Sequence, residues 1–152
     1  MTQPRSKIID VAAGIVVKND KVLLARRARG QHLAGKWEFP GGKVEHGETP
    51  EECLCREFKE EFDLTVEVGK YVTESIYQYP EKNIRLLAYY VTLISCNFTL
   101  KVHDEIKWVE IESLSRMNLA EADIPIAVLL EEQYCHRREK QPKTTIENPA
   151  IL

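Results

Sequence analysis

Residues 41–64 read GGKVEHGETPEECLCREFKEEFDL and hold eight of the chain's 24 acidic residues, against Lys43, Arg56 and Lys59. Like charges this dense on one short element repel, so the fold must either spread them into solvent or give them a counterion. The same window also dictates its own secondary structure. Thr49 suits a helix N-cap, Pro50 the first helical position and Glu52 the third, which together make a capping box. A helix is expected over residues 50–62. Leu54, Phe58 and Phe62 recur every four residues and form one core-facing stripe. At ~100° per residue, Glu57, Glu60 and Glu61 fall in a narrow sector beside that stripe.

Two readings of the sector stay open on spacing within the helix alone. One is a solvated acidic face. The other is a site for a hard divalent cation such as Mg²⁺, which takes carboxylate and carbonyl oxygens and keeps waters for phosphates.

The rest of the chain narrows the setting. A length of 152 residues suits one domain with a real core. A formal charge of −3 argues against a general binder of nucleic-acid polymers, which needs a basic face, so a bound nucleotide is expected to be small. No apolar run reaches about 18 residues, and the first ten residues lack the apolar stretch of a signal peptide; no membrane association is expected. Cys53, Cys55, Cys96 and Cys135 form no paired CxxC knuckles and read as reduced thiols of a cytoplasmic protein, without zinc.

Residues 8–17 are β-branched and apolar and read as a buried strand. Asn19-Asp20 marks a turn into a second strand at 21–27. A polar loop follows at 28–36, then a short extended piece at 37–39, stopped by Pro40-Gly41-Gly42. Further strands are expected at 66–76, 85–94 and 106–109, with a loop at 79–83. A second helix is expected at 124–138, with Asp123 as N-cap and Leu129, Leu130 and Tyr134 among its inner residues. Residues 1–138 form the domain and 139–152 a loose tail. The order β-β-α-β-β-β-α implies a mixed sheet with helices packed on it, an α+β or α/β fold.

Gly42, five residues, Glu48, seven residues, then Arg56-Glu57-Phe58-Lys59-Glu60-Glu61-Phe62-Asp63-Leu64 closely resembles the Nudix box, Gly-x5-Glu-x7-Arg-Glu-U-x-Glu-Glu-x-Gly-U, where U is bulky and apolar. Only Asp63 departs, standing where the family has Gly. The resemblance implies the Nudix fold, an α/β/α sandwich with a mixed sheet flanked by helices. It implies a catalytic Mg²⁺, with Mn²⁺ as the substitute, held by Glu57, Glu60 and Glu61 and by the Gly41 carbonyl. Arg56 would hold the glutamates through an ion pair. Asp63 would take the left-handed conformation that Gly takes in the family, at a cost of roughly 1 kcal/mol.

The flanks resemble MutT-type nucleoside triphosphate pyrophosphohydrolases: Ala25-Arg26-Arg27, His32, the stretch from Trp37 to Lys43, Tyr79-Pro80 and LAEADIP at 119–125. That likeness implies a nucleoside triphosphate as partner, of the 8-oxo-dGTP or the CTP and 5-methyl-dCTP type, cleaved to a monophosphate and pyrophosphate. Arg27 would contact phosphate, Phe39 and Tyr79 would flank the base, and His32 and Lys43 would face the nucleotide. Glu105, with Asp104 as its competitor, would be a further metal ligand or the general base, a role also open to Glu57 and Glu61. Asp123 stands where the purine-reading enzyme has Asn. An ionised Asp only accepts hydrogen bonds, whereas a protonated one also donates. The plainer reading of Asp123 is a helix cap. Hydrolysis of ADP-ribose or a dinucleoside polyphosphate is the alternative, and a non-catalytic nucleotide-binding module is a third. The chain is expected to act as a monomer or homodimer.

Overall fold

Between Val11 and Ala25 almost every apolar side chain needs cover, and the strands that carry them are covered on both faces. The computed structural model describes residues 7–95 and 97–141. Ten regular elements follow in order: β1 (Ile8–Ile15), β2 (Val17–Lys18), β3 (Lys21–Arg27), β4 (Trp37–Glu38), β5 (Gly41–Lys43), α1 (Pro50–Phe62), β6 (Val66–Gln78), β7 (Asn83–Leu93), β8 (His103–Glu110) and α2 (Ile124–Lys140). Short 3₁₀ turns lie at Ile111–Arg116 and Glu121–Asp123.

One sheet runs β5-β1-β7-β6 and is mixed: β1 is parallel to β7 and antiparallel to β5, and β6 is antiparallel to β7. The other runs β2-β3-β4, with β8 antiparallel to β3. Asn19 and Asp20 both have positive φ, +52° and +62°, at the tight turn joining β2 to β3.

Successive residues of a strand point to opposite faces, and here each face meets a helix. Ala12, Leu23 and Ala25 pack in one core with Leu54, Phe58 and Phe62 of α1. Ala13, Ile15, Val22 and Leu24 pack in the other with Ile126, Ala127 and Leu130 of α2. The sheets therefore lie between two helices, the α+β sandwich expected from the element order.

α1 follows its local signals. Thr49 Oγ1 accepts from Glu52 N–H at 3.1 Å, and the Glu52 carboxylate reaches the Thr49 N–H. Leu54, Phe58 and Phe62 are fully buried, each contributing roughly 2 kcal/mol. Asp63 ends the helix in the left-handed conformation, φ 55° and ψ 37°. Its N–H donates to Lys59 O and the Leu64 N–H to Phe58 O, which satisfies carbonyls at the end of the helix. The Asp63 side chain pairs with Lys59 Nζ at 2.8 Å, so the residue that departs from the box has a partner one turn away.

Three expectations need correction. Gly41 and Gly42 do not simply end an extended piece. With Lys43 they form β5, paired to Ala13, Ala12 and Val11 of β1. A Cβ at Gly41 would overlap the Ala12 carbonyl oxygen, so the approach of the two backbones requires glycine. Asp123 is at the N-cap position of α2, but its side chain makes no capping bond. Its backbone already has helical angles, φ −80° and ψ −22°, and a cap needs extended ones. Finally, α2 runs to Lys140, beyond the 138 expected, with Leu130 buried and Leu129 and Tyr134 only partly covered. The remainder of the expected tail, 142–152, and Cys96 lie outside the described residues. Cys53, Cys55 and Cys135 are free thiols.

Candidate active site

The acidic sector of α1 is organised around Arg56. Its Nε donates to Glu48 Oε2 at 2.9 Å and its Nη2 to Glu48 Oε1 at 2.7 Å, a bidentate fork. Nη1 donates to Glu57 Oε1 at 2.9 Å and to Glu60 Oε2 at 3.1 Å, and Nη2 also reaches the Lys43 carbonyl. Glu48 is thereby the anchor of the arginine. The Arg56 guanidinium holds its carboxyl down at about 2.

Behind Arg56 the glutamates differ in burial. The Glu60 side chain is 61% exposed, against 12% for Glu57 and 20% for Glu61. Burial first, and then the adjacent Glu57, push the Glu61 carboxyl up to about 8. Glu61 Oε2 is buried with no hydrogen-bond partner. A Cβ on Gly42 would overlap the Glu57 carboxyl group, so the bare backbone of β5 lies directly against that carboxylate.

Among the described residues, no three His, Cys, Asp or Glu side chains converge at ligand spacing. Glu60 is drawn outward to Arg56. The Glu57–Glu61 pair still fits a hard cation. It consists of two close carboxylates, one with an orphaned oxygen, next to a strand whose glycines leave room for a metal and for phosphate oxygens. Cys53 does not compete: its thiol donates to the Gly42 and Lys43 carbonyls, and burial pushes its pKa up to about 12.

Glu105 and its competitor Asp104 are on the wrong side of the sheet for this cluster. Opposite Arg26 and Arg27 on β3 stand Glu105 and His103, so Asp104 is an extra residue in β8. That bulge resets the alternation of faces. Arg26 pairs with Asp104 at 2.8 Å and with Glu105 at 3.2 Å on the exposed face, its guanidinium over the Trp37 ring. Turned inward in their place is His103, whose side chain is fully buried. Its Nε2 is 2.8 Å from Glu38 Oε1 and its Nδ1 is 3.9 Å from Glu61 Oε2. Sequence reasoning passed over both His103 and Glu38. The only signal was a polar residue at each of two strand ends, which acquires meaning once the strands are in register.

On the other side of β5 lies a cavity of about 320 Å³. Arg27, His32, Phe39, Lys43, Tyr79 and Asp123, the six residues expected on the substrate side, all line it, together with Gly41 and Gly42. Arg27 is held by Glu38, Nη1 to Oε1 at 3.0 Å, and by the His32 carbonyl. Tyr79 is buried, accepts at its hydroxyl from the Ala122 N–H at 3.2 Å, and meets the exposed His32 ring edge-on. Burial pushes its phenol up to about 12. Asp123 is 95% covered, and its Oδ1 accepts from the Phe39 N–H at 2.9 Å. Burial, with Glu38 close by, raises its pKa well above the ordinary carboxylate range. A protonated Asp123 both donates and accepts.

Comparison with known proteins agrees with this arrangement. The model of the NUDIX domain matches residues 9–132. The CTP pyrophosphohydrolase of Escherichia coli K12 is 36% identical over 120 residues, which cover 79% of this chain and 89% of that one. The 8-oxo-dGTP diphosphatase of the same organism is 40% identical over 81 residues, 53% of this chain and 63% of that one. The solution structure of the E. coli ORF135 protein superposes with a TM-score of 0.74 at 33% identity, covering 92% of this chain and 98% of that one.

Proposed function

The chain belongs to the NUDIX domain family and is a Nudix hydrolase, and from that premise we propose that it cleaves a non-canonical (deoxy)nucleoside triphosphate to the monophosphate and pyrophosphate, cleansing the nucleotide pool. Nudix hydrolases generally use divalent metal ions. Here the ion would be Mg²⁺, replaceable by Mn²⁺, held by Glu57 and Glu61 with Glu60 and the Gly41 carbonyl closing the set. When bound, it would neutralise phosphate charge and lower the pKa of the attacking water.

The observation that carries the reading is the position of β5. Its two glycines form the wall between the carboxylate cluster and the 320 Å³ cavity. A nucleotide with its base in the cavity would thus have its phosphates within reach of the glutamates. Phe39 and Tyr79 supply apolar walls for the base, and Arg27, held on two sides, offers its guanidinium to phosphate. Asp123 has Oδ1 committed to Phe39, which leaves Oδ2 for the base edge. Glu57 and Glu61, not Glu105, are the carboxylates placed to take the proton of the attacking water. The activities named for the two E. coli relatives support this substrate class.

The test is a panel of CTP, dCTP, 5-methyl-dCTP, 8-oxo-dGTP, dGTP and ADP-ribose, compared by kcat/KM with release of pyrophosphate followed. The expected result is pyrophosphate from a modified or cytosine triphosphate at the highest kcat/KM. Preferred cleavage of ADP-ribose, which releases no pyrophosphate, would overturn the proposal.

A further inference from the structure

Among the described residues, three buried side-chain polar atoms have no hydrogen-bond partner: Glu61 Oε2, His103 Nδ1 and Glu121 Oε2. The first two face each other across 3.9 Å, longer than a hydrogen bond. Two orphaned polar atoms directed at one another inside a protein are uncommon, since buried polar groups are nearly always paired. The geometry around them forms a continuous line. Arg27 Nη1 donates to Glu38 Oε1 at 3.0 Å, and His103 Nε2 meets that same oxygen at 2.8 Å. A carboxylate paired with an arginine accepts and does not donate, so Nε2 carries the hydrogen and Nδ1 presents its lone pair toward Glu61.

We propose that His103 is a positioning residue that ties Glu61, on the metal side of β5, to Arg27, on the phosphate side, through Glu38. Each member belongs to a different part of the chain: Glu61 to the last turn of α1, His103 to the start of β8, Glu38 to β4 and Arg27 to the end of β3. The His103 ring has little freedom to turn away. Its side chain is fully buried, and Phe62 stacks on it with centroids 5.2 Å apart and planes 12° from parallel. Phe62 belongs to the apolar stripe of α1, so the ring that fixes His103 is fixed by the core. The outcome is a single setting of the two groups that must act together on one substrate. The Arg27 guanidinium cannot shift without moving Glu38, and Glu38 cannot shift without breaking its bond to the imidazole. Glu61 then reaches an ion from a fixed side of the imidazole. Groups that orient a ligand residue in this way typically change metal affinity roughly 10–100-fold when removed. This proposal rests on the reading of Glu61 as a metal ligand.

The experiment compares His103→Phe and His103→Gln with the unsubstituted protein. Phe keeps a ring against Phe62 and removes both nitrogens; Gln keeps a donor toward Glu38. Mn²⁺ affinity, read by electron paramagnetic resonance of the free ion, is expected to fall roughly 10-fold or more in H103F. Its kcat should fall by a larger factor than its KM rises, and H103Q should recover part of both losses. A folded H103F with Mn²⁺ affinity and kcat within twofold of the parent would overturn the proposal, since a space-filling role is satisfied by Phe. Should H103F fail to fold, ¹⁵N NMR of the unsubstituted protein decides. The proposal expects the Nε2–H tautomer and a shift of the His103 Nδ1 resonance when Mg²⁺ is added; no shift would overturn it. The two readings fail separately. A parent protein that binds no Mn²⁺ refutes the metal reading and this proposal with it, whereas normal binding by both parent and H103F refutes the role of His103 alone.

Discussion

The two helices begin with similar sequence, Thr49-Pro50 and Asp123-Ile124-Pro125, and use it differently. At Thr49 the backbone is extended, and the hydroxyl closes back on the Glu52 N–H. At Asp123 the preceding 3₁₀ turn has already set helical angles, the side chain does not fold back, and its oxygen crosses 84 residues of sequence to the Phe39 N–H. An N-terminal signal in sequence marks where a helix starts. Whether the oxygen serves the helix or a binding cavity depends on the backbone just before it.

The first way to sharpen that contrast is within α1, where stability and chemistry share one element. Glu57→Gln should lower kcat by roughly 10³-fold with no loss of thermal stability, since it relieves repulsion with Glu61. Steady-state kinetics beside a thermal melt separates the two effects. Next in size, Asp123→Asn should change the order of kcat/KM across the nucleotide panel by roughly 10-fold at the base that Asp123 reads, a substituted hydrogen bond being worth about 1–2 kcal/mol. An unchanged order would make Asp123 a structural residue only, and the two helix starts would then be alike after all.

The pH dependence of metal-free protein distinguishes the regions further. Glu61 has a folded-state pKa raised from 4.5 to about 8, so the folded chain holds a proton that the unfolded chain has released. Its contribution is fully present below pH 4.5 and is lost as pH rises through about 8. Glu48, lowered from 4.5 to about 2 by Arg56, behaves oppositely: its contribution is present above 4.5 and is lost as pH falls toward 2. Urea unfolding across this range should show stability declining above neutrality, and Mg²⁺ should remove that decline by binding the ionised form of Glu61. The smallest effect belongs to the cap. Thr49→Ala should cost about 1 kcal/mol, a fall of roughly 2–4 °C in Tm, with kcat unchanged.

α1 was legible because its information is local: the capping box spans four residues, and the apolar stripe repeats within one element. The expected substrate residues converge on one cavity for a related reason, since each sits at a strand end or loop that the motif spacing had already located. The failures are all long-range. β5 was missed because glycine reads as a breaker until a neighbouring strand requires close approach. Glu105 was chosen over His103 because a regular strand would put both on one face, and the bulge at Asp104, which separates them, exists only in the pairing with β3. Glu48 matched the box yet had no evident task until the fork of Arg56 was seen to close on it.

β1 is hemmed in by β5 on one edge and β7 on the other, with a helix over each face. Its amide hydrogens therefore exchange with solvent only when the whole domain opens. β5 hangs on that strand, so the floor under the phosphates is among the slowest-breathing parts of the molecule, and any motion that admits a nucleotide or releases its products must come from the loops around Tyr79 and His32.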